Sequence, residues 1–135
     1  MAKAKILVVD DSPVILETTR LILEEAGYQV VTLDNPLSMA HAVRKDSPDL
    51  VLLDVEMPAV RGDDVASIAG RHGATQGTPV VLYSDLAEKQ LQERTLRCGA
   101  VGFIRKTNDE DSFLRQVEDC LKKHRRKGNN GTSQS

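Results

Sequence analysis

Five short apolar segments alternate along the chain with longer segments of mixed polarity. The apolar segments are rich in Val, Leu and Ile and show little alternation of polar and apolar positions: Lys5–Val9, Gln29–Leu33, Leu50–Leu53, Pro79–Tyr83 and Val101–Ile104. Strands that are buried on both faces of a sheet have this pattern. We therefore predict five buried strands.

The segments between these strands have the periodicity of amphipathic helices. In the first, apolar residues recur every three or four positions, Ser12 and Pro13 are a typical helix start, and Gly27 is a typical stop. Four later starts are predicted at Asn35–Pro36, at Gly62 or Asp63, at Asp85 as the cap, and at the capping box Thr107–Glu110. The order is strand then helix, five times, which predicts an α/β fold with a doubly wound parallel sheet.

The chain of 135 residues has the length of one domain, which we expect to cover residues 1–124. Residues 125–135 are polar and rich in Gly, Asn and Ser, which predicts a disordered tail or the start of a linker.

Composition narrows the functional class. The net charge of −2 argues against direct nucleic-acid binding, and no apolar stretch is long enough for a membrane span or a signal peptide. Cys98 and Cys120 lack the spacing of a metal site or a disulfide framework. Two such cysteines are typical of a cytosolic protein whose thiols are reduced. We therefore expect a cytoplasmic protein.

Polar residues follow the predicted strands. Asp10 and Asp11 follow the first strand, Asp54 the third, Ser84 the fourth and Lys106 the fifth, while Asp34 follows the second. Ligands bind at the carboxyl ends of the strands in open parallel sheets. In the strand order 2-1-3-4-5, the first and third strands are neighbours, which would bring the three aspartates Asp10, Asp11 and Asp54 together.

Three carboxylates in one small site repel each other unless a cation offsets their charge, and oxygen ligands of this kind suit Mg²⁺. A lysine at Lys106 and a hydroxyl at Ser84 would bind an anion beside them. These groups together predict a phosphoryl-transfer site with a carboxylate nucleophile. Taken singly, each residue also has an ordinary role, such as a helix cap for Ser84 or a surface lysine for Lys106.

The chain resembles the receiver domains of two-component response regulators from Lys5 to about Lys123. The motifs that carry the resemblance, with Gly62 after the second, are Ile6–Asp11 (ILVVDD), Leu50–Pro58 (LVLLDVEMP), Pro79–Ser84 (PVVLYS) and Gly99–Lys106 (GAVGFIRK). In this order and spacing they are highly specific. The resemblance implies a flavodoxin-like (βα)5 fold, with residues 1–124 as the receiver domain.

The resemblance also implies residue roles. Asp54 accepts a phosphoryl group from a phosphohistidine, Asp10, Asp11 and Asp54 bind Mg²⁺ with the backbone carbonyl of Glu56, and Lys106 pairs with the phosphate. Ser84 hydrogen-bonds the phosphate, and Phe103 rotates inward when Ser84 moves. The implied partners are a sensor histidine kinase or histidine phosphotransfer protein and a downstream protein target, with neither nucleic acid nor membrane bound directly.

This chain departs from the family pattern at three positions. Thr107 replaces the usual proline after Lys106, so a trans peptide bond is expected there. Asp85 adds a negative charge beside Ser84, although we favour a helix-capping role for it. Glu56 places a side chain near the site that can orient or obstruct the hydrolytic water, so the lifetime of the phosphoryl group stays open.

A non-phosphorylated protein-binding module is the alternative function, and a Mg²⁺-dependent phosphatase is a weaker one. We do not expect a conventional enzyme, because a receiver catalyses only its own phosphorylation and dephosphorylation. Phosphorylation-dependent homodimerisation, and whether the chain is a stand-alone receiver or part of a longer regulator, stay open.

Overall fold

The five predicted strands form one parallel sheet in the order β2-β1-β3-β4-β5. The structure is a computed structural model that describes residues 3–54, 78–107 and 109–124. The strands are β1 (Lys5–Val9), β2 (Gln29–Leu33), β3 (Leu50–Leu53), β4 (Val80–Ser84) and β5 (Gly102–Arg105). The predicted α/β fold and strand order are therefore confirmed.

Four helices lie within the described residues: α1 (Pro13–Glu25), α2 (Met39–Asp46), α3 (Glu88–Cys98) and α4 (Glu110–His124). A short 3-10 helix, Pro36–Ser38, precedes α2. The helix predicted from Gly62 or Asp63 lies outside the described residues. The fourth and fifth predicted helices are therefore α3 and α4 here.

Helices cover both faces of the sheet. On one face, α1 and α4 pack on strand residues such as Ile6, Leu52 and Val81. On the other, α2 and α3 pack on the alternate positions, such as Leu7 and Leu82. Every residue of β3 and β4 is buried, which explains why these strands are apolar without alternation.

The first helix follows its sequence signals. The Ser12 hydroxyl accepts a hydrogen bond from the backbone N–H of Ile15 at 3.3 Å, and Pro13 occupies the first helical position. The chain leaves the helix through Gly27, whose φ of +102° is a conformation that glycine adopts without strain.

Two predicted caps are wrong. α3 begins at Glu88 with Ala87 as its N-cap, not Asp85, because a turn closed by the Leu86 N–H and the Ser84 hydroxyl separates β4 from the helix. The Ala87 N–H instead donates to the side chain of Gln90 at 3.3 Å.

The predicted capping box at Thr107–Glu110 also shifts. α4 begins at Glu110, and the Asp109 carboxylate accepts from the N–H of Ser112 at 3.2 Å, which is the bond of an N-cap residue. Thr107 accepts from the Asp109 N–H at 3.1 Å and so positions that cap.

Candidate functional site

The carboxyl ends of β1 and β3 bring the predicted aspartates together. Val9 and Leu53 are register partners, and the Asp54 N–H donates to the Val9 carbonyl at 3.0 Å. The residues that follow these strands are therefore neighbours. Asp10 is 1% exposed and Asp54 is 5% exposed, whereas Asp11 lies at the surface. Two of the three carboxylates are thus held largely out of water.

These carboxylates are close enough to share one cation. One oxygen from each of Asp10, Asp11 and Asp54 lies within 4.8 Å of the others. The Ser12 N–H donates to Asp10 Oδ1 at 2.9 Å and fixes the orientation of that side chain. An oxygen-only donor set with few protein ligands, partly open to water, suits Mg²⁺, which keeps several of its own waters.

Lys106 supplies the positive charge of the site. Its Nζ lies 3.2 Å from Asp10 Oδ2 and 3.5 Å from Asp54 Oδ2, and its side chain is 15% exposed. Burial by itself lowers the pKa of Lys106, but the carboxylates of Asp54 and Asp10, with a smaller effect of Asp85, outweigh it and raise the pKa above its ordinary value. The ammonium is therefore charged at neutral pH.

Ser84 ends β4 beside this cluster and is fully buried. Its hydroxyl accepts from the Leu86 N–H at 3.1 Å, and its carbonyl accepts from the Lys106 N–H at 2.9 Å. Arg105 Nε donates to the Leu86 carbonyl at 3.1 Å. The end of β4 and the end of β5 are thus tied together around the Ser84 hydroxyl.

The remaining predicted positions have mixed outcomes. Phe103 is half-buried on β5, pairs with Leu82 in the sheet register and packs on the core beneath α2 and α3. The Lys106–Thr107 peptide bond is trans, as the missing proline predicts. Glu56 lies outside the described residues, so its proposed carbonyl ligand is not placed here.

Two residues near the site were missed by the sequence reasoning. The ring of Tyr83 lies beneath Lys106, with Nζ 5.5 Å from the ring centroid, and the side chain of Thr19 from α1 lies beside that of Tyr83. Strand alternation predicts that Tyr83 points to the face opposite Leu82, where α1 and α4 pack, but it does not predict the contact with Lys106.

In the described part of the chain, no helix combines the length and apolar character needed to span a membrane. The cytoplasmic location stays a prediction.

Comparisons with known proteins agree with this geometry. The family profile of the response regulator receiver domain matches residues 6–118. Protein PilH of Pseudomonas aeruginosa is 29% identical over 118 residues, covering 87% of this chain and 98% of PilH. A putative transcriptional regulator of the same organism is 34% identical over 112 residues, covering 82% of this chain but only 53% of that protein.

Solved structures agree as well. The signal receiver domain of a signal transduction histidine kinase from Syntrophus aciditrophicus superposes with a TM-score of 0.74 at 29% identity, covering 98% of this chain and 94% of that one. Sequence, strand order and the cluster of acids at the strand ends lead to one assignment. The chain belongs to the receiver-domain family of two-component response regulators.

Proposed function

We propose that this receiver domain is a phosphorylation-dependent switch in which Asp54 accepts a phosphoryl group. The donor is a phosphohistidine of a sensor histidine kinase or of a histidine phosphotransfer protein. One observation carries the proposal: the buried Asp54 carboxylate lies within reach of two further carboxylates and of the Lys106 ammonium, at the end of a central strand. Receiver domains generally bind Mg²⁺ at such an acidic pocket, and Asp10, Asp11 and Asp54 would hold the ion here.

The transfer assigns a task to each side chain. A carboxylate oxygen of Asp54 attacks phosphorus, a P–O bond forms, and the P–N bond to the donor histidine breaks, with the electron pair leaving on the histidine nitrogen. Mg²⁺, when bound, offsets the negative charge on the phosphoryl oxygens. Lys106 stabilises the same charge from the β5 side, since its ammonium already lies 3.5 Å from Asp54.

The phosphoryl group then changes the surface of the protein. It adds nearly two negative charges and strong acceptors at Asp54. The Ser84 hydroxyl donates to it, which draws Ser84 away from its turn with Leu86. Phe103, which is only half-buried, turns inward behind Ser84 and remodels the surface formed by α3, β5 and α4. A downstream protein target reads this surface. The domain turns over no separate substrate, so we do not propose a conventional enzyme.

The test is to incubate the protein with Mg²⁺ and acetyl phosphate and to record its intact mass. We expect a gain of one phosphoryl group in the wild type, no gain in Asp54→Asn, and no gain when EDTA removes Mg²⁺. Asp34→Asn is the matched control, because Asp34 is an exposed aspartate that follows β2 at the same edge of the sheet. It should be phosphorylated like the wild type.

Binding of beryllofluoride distinguishes a short-lived phosphoryl adduct from the absence of an adduct, because beryllofluoride mimics a bound phosphoryl group and is not hydrolysed. A wild type that gains no mass and binds no beryllofluoride would instead be a protein-binding module that works unphosphorylated. Equal mass gains in the wild type and in Asp54→Asn would assign the acceptor to another residue.

A further inference from the structure

Tyr83 borders the proposed phosphoryl site from beneath. It precedes Ser84 in β4, and its side chain enters the core between the sheet and the helices α1 and α4, where it is 8% exposed. The Lys106 ammonium lies 5.5 Å from the centroid of its ring. This separation is within the range in which an ammonium is attracted to the face of an aromatic ring.

Contacts with two helices fix the ring in place. The ring of Phe113, from α4, packs against it with centroids 5.2 Å apart and planes inclined by 32°. The side chain of Thr19 from α1, a residue that is only 3% exposed, lies beside that of Tyr83. The ring is therefore part of the rigid core, while the lysine above it has a long flexible side chain.

The ring acts on Lys106 differently from the two carboxylates. Asp10 and Asp54 attract the ammonium at 3.2 and 3.5 Å, but both would also serve a bound Mg²⁺, which competes for their oxygens. The ring face is not a ligand for Mg²⁺. Its attraction for the ammonium therefore persists when the metal takes the carboxylates.

We propose that Tyr83 is a positioning residue for Lys106. The ring face of Tyr83 holds the Lys106 ammonium at the end of β3, where the ammonium meets the phosphoryl oxygens. This inference rests on the proposed function, because it assigns Lys106 to the phosphoryl group. Tyr83 is not assigned as a ligand of Mg²⁺ or as a contact of the phosphoryl group, and it acts only through Lys106.

The experiment measures beryllofluoride affinity at saturating Mg²⁺ in purified variants of the 135-residue chain. Tyr83→Leu removes the ring and should weaken beryllofluoride binding by about three- to tenfold, the range expected for a partly desolvated contact of this kind. Tyr83→Phe keeps the ring and should bind within about twofold of the wild type, since the ring face carries the attraction.

Matched controls separate this role from general damage to the fold. Tyr28→Leu makes the same change at a tyrosine that is also buried beneath a lysine, Lys3 at 5.3 Å, away from the site, and it should leave beryllofluoride affinity unchanged. Urea unfolding verifies that each variant is folded. Tyr83→Met, which fills the space with a flexible apolar side chain, replaces Tyr83→Leu if the latter does not fold.

A double-mutant cycle with Lys106→Met decides the matter, because only a residue acting through Lys106 loses its effect in that background. We expect Tyr83→Leu to change affinity by less than about twofold once Lys106 is Met. An equal loss of beryllofluoride affinity with Lys106 and with Met at position 106 would overturn this inference and leave the proposed function standing. So would a loss in Tyr83→Phe as large as in Tyr83→Leu. A wild type that binds no beryllofluoride would overturn the proposed function and this inference with it.

Discussion

Removing one charge from the acidic cluster should stabilise the metal-free protein. Asp10, Asp11 and Asp54 place three negative charges around one point, and among the residues that the structure describes the Lys106 ammonium pairs with two of them. Asp11 is the exposed member and neither Lys106 ion pair includes it. Asp11→Asn therefore relieves repulsion without breaking either pair.

The size of the gain follows from the distances. The nearest carboxylate oxygens lie within 4.8 Å of one another, and two unit charges this far apart interact by about 1 kcal/mol in water. The aqueous value is the appropriate one because Asp11 is exposed to solvent. Two repulsive pairs are removed, and the lost attraction to Lys106 offsets part of the gain. We expect Asp11→Asn to raise the free energy of unfolding by about 1 kcal/mol, or Tm by about 3 to 5 °C.

Mg²⁺ should reverse this order of stability. A ligand that binds only the folded state stabilises it by about 2.7 kcal/mol at one hundred times its dissociation constant. The wild type, with three carboxylates, would receive this stabilisation, whereas Asp11→Asn would lose most of it. The variant should therefore be the more stable protein in EDTA and the less stable protein in saturating Mg²⁺.

Urea unfolding at neutral pH, in EDTA and in Mg²⁺, measures both effects. The gain in EDTA should shrink as NaCl is added, because salt screens charges at exposed positions. Asp34→Asn, the same change at an exposed aspartate outside the cluster, is the control and should have little effect. An unchanged or lowered stability of Asp11→Asn in EDTA, or an equal gain in Asp34→Asn, would refute the reasoning.

Three further predictions concern the lysine and the scaffold. Lys106→Met should lower the free energy of unfolding by about 2 to 3 kcal/mol at neutral pH. Because the pKa of Lys106 is raised in the folded protein, the part of this deficit that comes from the shift should be constant between neutral pH and the ordinary pKa of 10.5. That part should be lost as the pH rises further through the folded pKa, as followed by urea unfolding of both proteins. Leu91→Ala, at a fully buried position of α3, should cost about 3 kcal/mol in the same assay, whereas Leu96→Ala, 85% exposed on the same helix, should cost less than about 0.5 kcal/mol. Ser12→Ala removes the cap of α1 and should lower the unfolding free energy by about 1 kcal/mol, and a value near zero would mean that the hydroxyl contributes nothing.

The strands were predictable because burial on both faces leaves a signal at every position. Leu50–Leu53 has no exposed residue and contains only Leu and Val. β4 and β5 each begin and end one residue later than predicted, since Pro79 donates no ladder hydrogen bond and Val101 is 39% exposed.

Helix starts were less predictable, because several residues that can cap a helix stand close together. Thr107 and Asp109 are both capping residues, and the geometry of the turn, which the sequence does not specify, selects Asp109. Before Pro13, the other residues able to cap the helix are Asp10 and Asp11, whose side chains belong to the site. The prediction of Ser12 as the cap is confirmed.

The candidate site was predictable because its residues lower the stability of the fold. Carboxylates that are 1% and 5% exposed, as at Asp10 and Asp54, lower stability unless something offsets them, so their position after two neighbouring strands calls for a functional explanation. Tyr83 gave no such signal. An aromatic residue in a buried strand satisfies every rule of the fold, and only the three-dimensional structure shows that the atom above its ring is the lysine nitrogen of the site. Sequence reasoning therefore detects the groups that oppose stability, whereas a group that supports stability and function together becomes visible only through its contacts.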